Sequence, residues 1–187
     1  MEKKSGSFTS RDLALVAGLT GLYLVYGYAS GVTFGHTILE LDLFFLISAL
    51  FTIIISMTGK SWSATLLGTI NGVILLGEPN APLVITLSLI PNGLVFDLAL
   101  YTRNRNLAGL SRKRFVIAGA LGNLAMAISG LVILQAVGFF QGKGLDFILA
   151  TSVIALVTNP LVGAIGALFG TIVIKRVGER VRSPLTR

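Results

Sequence analysis

Six apolar runs separated by short polar connections limit how this chain of 187 residues can fold. A helix needs roughly 20 apolar residues to cross the hydrocarbon core of a bilayer, and most of the runs have about that length. The runs cover about Leu13–Val32, Ile38–Met57, Trp62–Gly77, Leu83–Tyr101, Phe115–Phe140 and Leu145–Ile174. The third run is short and the sixth is long. We therefore predict an all-α integral membrane protein, a single domain over residues 1–187 that forms a bundle of six transmembrane helices.

The composition supports a membrane protein and argues against several other classes. Hydrophobic residues make up 53% of the chain and charged residues 12%, whereas soluble domains carry about twice that share of charge. The net charge of +7 does not indicate a nucleic-acid partner, because the basic residues form no stripe interleaved with aromatic residues. Cysteine is absent, which excludes disulfides, thiolate metal sites and cysteine nucleophiles. We predict no cofactor.

The sequence also lacks the signatures of common enzymes. It contains no G-x-S-x-G nucleophile motif, no phosphate-binding glycine loop and no pair of intramembrane aspartates. Asp97 lies six residues before Arg103, and its simplest role is as an ion-pair or helix-terminus partner for the basic connection that follows. We therefore predict that the protein is not an enzyme.

The basic residues predict how the helices are oriented. If the six runs cross the membrane in turn, Lys143 is the only one of the 15 lysines and arginines that falls on the opposite side from the others. Because cytoplasmic connections are rich in lysine and arginine, we predict that both termini are cytoplasmic. The connections at residues 33–37, 78–82 and 141–144 would then face outward. The segment Arg103–Arg114 could in addition be a docking surface for a partner.

One asparagine lies in each of the last four runs. Polar side chains within spans usually face the interior of a bundle, where they bond to other helices or line a cavity. Both interpretations remain open for Asn71, Asn92, Asn123 and Asn159. Pro160 follows Asn159 near the middle of the sixth run, so we expect a kink there, because proline removes a backbone hydrogen bond.

The predicted outer side carries most of the acidic residues. The polar residues mapped to it are His36, Glu40, Asp42, Glu78 and Asp146. Such a rim would attract a cation, although ordinary solvation of loops gives the same pattern. The first three have a spacing that a hard metal could use, but no metal-binding motif supports this, and we predict no metal site.

The first run contains three tyrosines, and the first and sixth runs contain small residues at helical spacing. Its tyrosines, Tyr23, Tyr26 and Tyr28, suit an anchor at the membrane interface or a ring that stacks on a heterocycle or a cation. Small residues four apart allow close helix packing, either within the bundle or against another membrane protein. They are Ala14, Ala17, Gly18 and Gly21 in the first run, and Gly163, Gly166, Ala167 and Gly170 in the sixth.

The segment Leu75–Ile85, with the sequence LLGEPNAPLVI, is unusual for a chain this apolar. Its two prolines and Gly77 fix a turn, while Glu78 and Asn80 add hydrogen-bonding groups that a simple connection would not need. The segment resembles L-L-G-x-P-x-x-P-x-V-I in the thiamine and hydroxymethylpyrimidine branch of the S subunits of energy-coupling-factor (ECF) vitamin transporters. Gly93 and Asp97 resemble the glycine and acid that follow in that branch. The third run departs from the branch, because acids expected there are absent.

The resemblance implies that the chain is the substrate-binding subunit of an ABC-type importer in the plasma membrane of a prokaryote. The connection between the third and fourth helices would be a lid over a small vitamin or precursor, and a transmembrane T subunit with two cytoplasmic ATPases would drive uptake. The predicted substrate-binding residues are Glu78, Asn80, Asn71, Asn92, Asn159, Glu40 and Tyr26. The residues predicted to contact the T subunit are Ala14, Gly18 and Gly21. The alternatives are a self-sufficient channel or carrier that acts as an oligomer, and a scaffold subunit without a ligand.

Overall fold

The apolar runs form helices, which satisfy their backbone hydrogen bonds without help from solvent. The structure is a computed structural model that describes residues 7–34, 40–78, 81–101, 107 and 110–182. Within these ranges there are six helices and no strand. They are α1 (Ser10–Phe34), α2 (Leu41–Thr58), α3 (Ser63–Leu75), α4 (Leu83–Leu100), α5 (Arg112–Ala136) and α6 (Leu145–Arg182). The prediction of an all-α protein is confirmed.

Five of the six helices in the described part of the chain are long and apolar enough to cross a membrane. The exception is α3, which has 13 residues and a length of about 20 Å. At the other extreme, α6 has 38 residues and extends for about 57 Å. The chain therefore has the helices of a membrane-embedded protein, while a sixth span stays a prediction.

Most helix boundaries lie within a few residues of the predicted ones. The largest difference is at the end of the last helix, and both prolines within the runs lie inside continuous helices. α6 stays helical through Pro160 and ends at Arg182, eight residues beyond the predicted Ile174. α4 also contains a proline, Pro91. An isolated proline does not end either helix, because local adjustments and neighbouring groups can satisfy the backbone carbonyl that it frees.

The turn between α2 and α3 shows why α3 begins where it does. Gly59 adopts a left-handed conformation with φ 65°, and its N–H donates to the carbonyl of Ile55 at 2.8 Å, which ends α2 in the usual way. Trp62 then takes φ 70° immediately before α3. The chain therefore reverses within four residues, and α2 and α3 become antiparallel neighbours.

Four helices, α2, α4, α5 and α6, form the closely packed part of the bundle, with α3 held against α4. Glycines allow these close approaches: a Cβ added to Gly93 of α4 would lie 2.5 Å from the carbonyl oxygen of Ala64 in α3. Gly119 of α5 faces Gly163 of α6, and Gly170 of α6 faces Ala49 of α2. The small residues of α6 thus pack inside the bundle.

In contrast, α1 lies at the edge of the bundle and packs only lightly against α2 and α3. Its buried side chains are Asp12, Val16, Thr20 and Tyr23, which form one narrow stripe. At the start of α1, the Lys60 ammonium lies 2.5 Å from the Asp12 carboxylate. This ion pair joins α1 to the turn between α2 and α3.

The connections divide the bundle into two chemically different ends. The first, called the basic end here, holds the start of α1, the α2–α3 turn, the α4–α5 connection and the last turns of α6. Leu107 is buried there, and its N–H donates to the carbonyl of Gly59 at 3.2 Å. The opposite end, called the cavity end, holds the α3–α4 and α5–α6 connections.

Candidate functional site

A cavity of about 820 Å³ opens at the cavity end. Its walls come from the second half of α1, the start of α2, the end of α3 and the start of α4. It lies where α3 stops at Leu75, because the chain turns back there before α3 reaches the length of its neighbours. The volume is within the range of sites that bind small organic molecules.

Two acidic residues from separate connections of the chain line this space, so we call it the acidic cavity. Glu40 comes directly before α2, and Glu78 lies in the α3–α4 connection. Much of the remaining wall is apolar and includes Leu43 and Ile85. No lysine or arginine is among the described residues that line it. The electrostatic field of the acidic cavity therefore favours a cation.

The α3–α4 connection borders the acidic cavity through Gly77, Glu78, Ala81 and Pro82. Its backbone is tightly turned, since the N–H of Glu78 donates to the carbonyl of Leu75 and the N–H of Ala81 donates to that of Glu78. Asn80, predicted to bind substrate, lies outside the described residues. Whether the connection closes as a lid stays a prediction.

The tyrosines in the wall of the acidic cavity are Tyr23 and Tyr28, and not Tyr26. Tyr23 is 1% exposed, and among the described residues its hydroxyl has no hydrogen-bond partner. Tyr26 is 40% exposed and lies beside Asp42. Helical spacing could have distinguished them, because Tyr23 continues the stripe of Val16 and Thr20 whereas Tyr26 does not.

Asp42 joins α1 to α2 close to the acidic cavity. The hydroxyl of Ser30 in α1 donates a hydrogen bond to the Asp42 carboxylate in the first turn of α2. Together with the Asp12–Lys60 ion pair, this contact attaches α1 to its neighbours near both ends. The wall that α1 supplies is thus attached by polar contacts near both ends and by buried apolar side chains such as Val16.

The four asparagines within the apolar runs are not among the residues that line the acidic cavity. Two of them, Asn92 and Asn123, instead bond to each other inside the bundle. Asn123 accepts hydrogen bonds from the Ser48 hydroxyl and the Asn92 amide, both at 3.0 Å. Its own amide donates to the carbonyl oxygens of Phe44 at 3.3 Å and Asn159 at 3.2 Å. We call these residues the Asn123 cluster. Through it, one side chain of α5 bonds to α2, α4 and α6.

The other two predicted asparagines have local surroundings. The Asn71 amide donates to the carbonyl of Leu67 in its own helix at 2.9 Å. Asn159 borders a small cavity of about 40 Å³ between α2, α4, α5 and α6. Asn71, Asn92 and Asn159 are buried in the bundle and are not among the residues that line the acidic cavity, so their role in substrate binding stays a prediction.

Asp97 lies against the start of α3. Its carboxylate accepts hydrogen bonds from the backbone N–H and the hydroxyl of Thr65, both at 2.7 Å. The first N–H groups of a helix lack partners within the helix, and an acidic side chain satisfies them well. Asp97 is thus a helix-terminus partner for α3. Its predicted pairing with the basic connection after α4 involves Arg103, which lies outside the described residues.

The residues predicted to contact a T subunit lie on the outer face of α1. Ala14, Gly18 and Gly21 are exposed, and a Cβ added to Gly18 or Gly21 would meet nothing within 4 Å. Within the part of the chain that the structure describes, this face has no packing partner.

The structure gives no support for a metal site among the described residues, where no group of three histidines or acidic residues is close enough to hold an ion. His36 lies outside those residues. Comparisons of the chain with protein-family models, curated proteins and solved structures find no significant match. The resemblance to S subunits of ECF transporters therefore stays a prediction.

Proposed function

We propose that the chain is a membrane-embedded binding subunit that captures a small organic cation, such as a thiamine-like heterocycle, in the acidic cavity. It would hand the ligand on with the help of a transmembrane T subunit and two ATPases, as in the ECF transporters that its sequence resembles. Both termini would be cytoplasmic in a prokaryotic plasma membrane, so that the acidic cavity faces outward.

The observation that carries this proposal is the placement of Glu40 and Glu78 on one largely apolar cavity of about 820 Å³. The two acids give the cavity a negative electrostatic field, which attracts a cation. A heterocycle with a positive charge would be held by this field and would bury its ring against residues such as Leu43 and Ile85.

Tyr23 adds a reason to expect a ligand with hydrogen-bonding groups. Its hydroxyl is buried in the cavity wall, and the described residues offer it no partner. Leaving such a group unsatisfied costs about 1–3 kcal/mol. A ligand that bonds to the hydroxyl would recover that free energy, and the tyrosine ring would contact its apolar part.

The exposed small-residue face of α1 supports the proposed contact with a transmembrane T subunit. A partner helix could approach the backbone of α1 closely at Gly18 and Gly21. Because α1 also forms one wall of the acidic cavity, a partner bound to its outer face would be positioned to alter the opposite face. This arrangement supports a coupling role for Ala14, Gly18 and Gly21.

The test is calorimetric titration of thiamine into the purified full-length chain, followed by the variants Glu40→Gln and Glu78→Gln. We expect submicromolar binding that each substitution weakens roughly 10- to 100-fold, the value of one charge-assisted hydrogen bond. Asp146→Asn is the matched control, because Asp146 is an exposed acid at the same end of the bundle that does not line the acidic cavity. This control should bind within about twofold of the unaltered chain.

Three results would contradict the proposal. The first is the absence of binding to thiamine and to other cationic heterocycles. The second is equal weakening by the Asp146→Asn control. The third is uptake of the ligand by liposomes that contain only this chain, which would favour a self-sufficient carrier.

A further inference from the structure

A second, separate cavity of about 510 Å³ lies at the basic end, between the last turn of α2, the start of α5 and the final turns of α6. Three cations line it: Arg112 from α5, and Lys175 and Arg176 from α6. No acidic residue is among the described residues of its wall. We call this site the basic groove.

The charges of the basic groove call for an anion. Three cations around one opening give the basic groove a positive electrostatic field, which attracts an anion. The start of α5 at Arg112 also presents the positive end of a helix of 25 residues. The geometry therefore favours a group with concentrated negative charge, such as a phosphate.

The apolar part of the basic groove distinguishes a lipid from a soluble anion. Phe115 and Ile172 belong to the same wall as the cations. The outward faces of the two helices continue as apolar surface, with Ile117 of α5 57% exposed and Phe169 of α6 47% exposed. A charged opening beside such a surface matches a molecule with a phosphate at one end and acyl chains at the other.

We propose that the basic groove binds the headgroup of an anionic phospholipid, with Arg112, Lys175 and Arg176 around the phosphate and the acyl chains along α5 and α6. This site is independent of the acidic cavity, which lies at the other end of the bundle. It would hold the protein in membranes or leaflets that are rich in anionic lipid.

Native mass spectrometry of the full-length chain in detergent tests the proposal, with phosphatidylglycerol and phosphatidylcholine of identical acyl chains as probes. We expect preferential retention of phosphatidylglycerol. The double variant Lys175→Gln/Arg176→Gln should weaken that retention by about 30-fold, because each cation near an anionic lipid contributes a factor of roughly five. Both side chains are exposed, so the variant should fold, and the exchange Lys175→Arg/Arg176→Lys should retain binding.

The matched control is Arg11→Gln/Lys113→Gln, which removes the same charge from exposed positions at the same end but outside the basic groove. Equal weakening by this control would overturn the proposal, since binding would then follow net charge. Displacement of the lipid by soluble glycerol 3-phosphate at equal concentration would also overturn it, because the site would then recognise a free phosphate ester.

Discussion

At the scale of single residues, the amide of Asn123 shows how polar groups are used inside this apolar bundle. It is fully buried. It donates two hydrogen bonds and accepts two others, and these four bonds reach α2, α4 and α6. A side-chain amide offers two donors and two acceptor sites, so the demands of Asn123 are met completely. Such a side chain fixes the positions of helices that apolar packing alone would leave free to slide.

Replacing Asn123 with alanine should therefore destabilise the bundle more than the same change at Asn71. Each interhelical hydrogen bond in a membrane protein contributes about 0.6 kcal/mol on average, so the loss of four predicts about 2 kcal/mol for Asn123→Ala. Asn71 is equally buried but donates one bond within its own helix. The measurement is thermal unfolding in detergent, and an equal loss of stability in the two variants would contradict the role of the Asn123 cluster.

The sequence predicted which residue types matter, but not how they divide between cavity and core. Glu40 and Glu78 were predictable as cavity residues, because an acid beside an apolar run is costly unless it has a function. The asparagines were ambiguous, since an amide within a span fits a ligand site or a helix contact equally well. Only the three-dimensional structure shows that Asn123 bonds to other helices and is not among the residues lining the acidic cavity. Tyr23 could not be distinguished from the other tyrosines of α1 by residue type, because type alone does not show which face of a helix points inward.

At the scale of helices, small residues have opposite consequences on different elements. On α4 and α6 they face neighbouring backbone, as Gly93 faces Ala64. On α1, Gly18 and Gly21 face open space. The small residues of α1 and α6 have the same spacing of four, so the spacing alone could not predict which set packs inside the chain.

The contrast predicts a difference between two glycine-to-alanine substitutions. Gly93→Ala would place a methyl group 2.5 Å from the Ala64 carbonyl oxygen and 2.9 Å from its carbon, and overpacking of this kind costs about 1–3 kcal/mol. Gly18→Ala has room for the methyl group. Its effect on stability should stay below about 1 kcal/mol, and this includes the gain that alanine brings over glycine in helix propensity. Unfolding of both variants in detergent tests this, and a stability loss in Gly18→Ala that matches Gly93→Ala would refute it.

Helix positions were predictable because the apolar runs are long and sharply bounded by polar residues. Leu83–Leu100 and Leu41–Thr58 begin and end within three residues of their predicted limits. α6 continues through Pro160, and the kink expected there stays a prediction, because proline can bend a helix without ending it. The close pairing of α3 with α4, through Gly68, Gly72 and Gly93, could not be read from the order of the runs.

At the scale of the whole molecule, the distribution of charge is strongly asymmetric. The described cations Arg11, Lys60, Arg112 and Lys175 are at the basic end, whereas Glu40, Glu78 and Asp146 are at the cavity end. A bundle with this pattern should insert in one orientation, with the basic end in the cytoplasm.

Labelling of single cysteines tests that orientation, and the absence of natural cysteine removes any background. Gln141 is exposed at the cavity end, and Ser111 is exposed at the basic end. In intact cells, a membrane-impermeant maleimide should label the variant Gln141→Cys, and should label Ser111→Cys only after the membrane is permeabilised. The reverse pattern would place the acidic cavity on the cytoplasmic side and exclude capture from outside.

The shortness of α3 has a consequence for how such a protein could diversify. Its 13 residues are five fewer than the 18 of α2 and of α4, a deficit of about 7 Å along the bundle axis. Deletion of a few residues before Gly77 would enlarge the recess, and insertion would fill it, while Glu40 would stay in place before α2. If the cavity binds a cation as proposed, related proteins could then accept ligands of different size and keep the preference for positive charge.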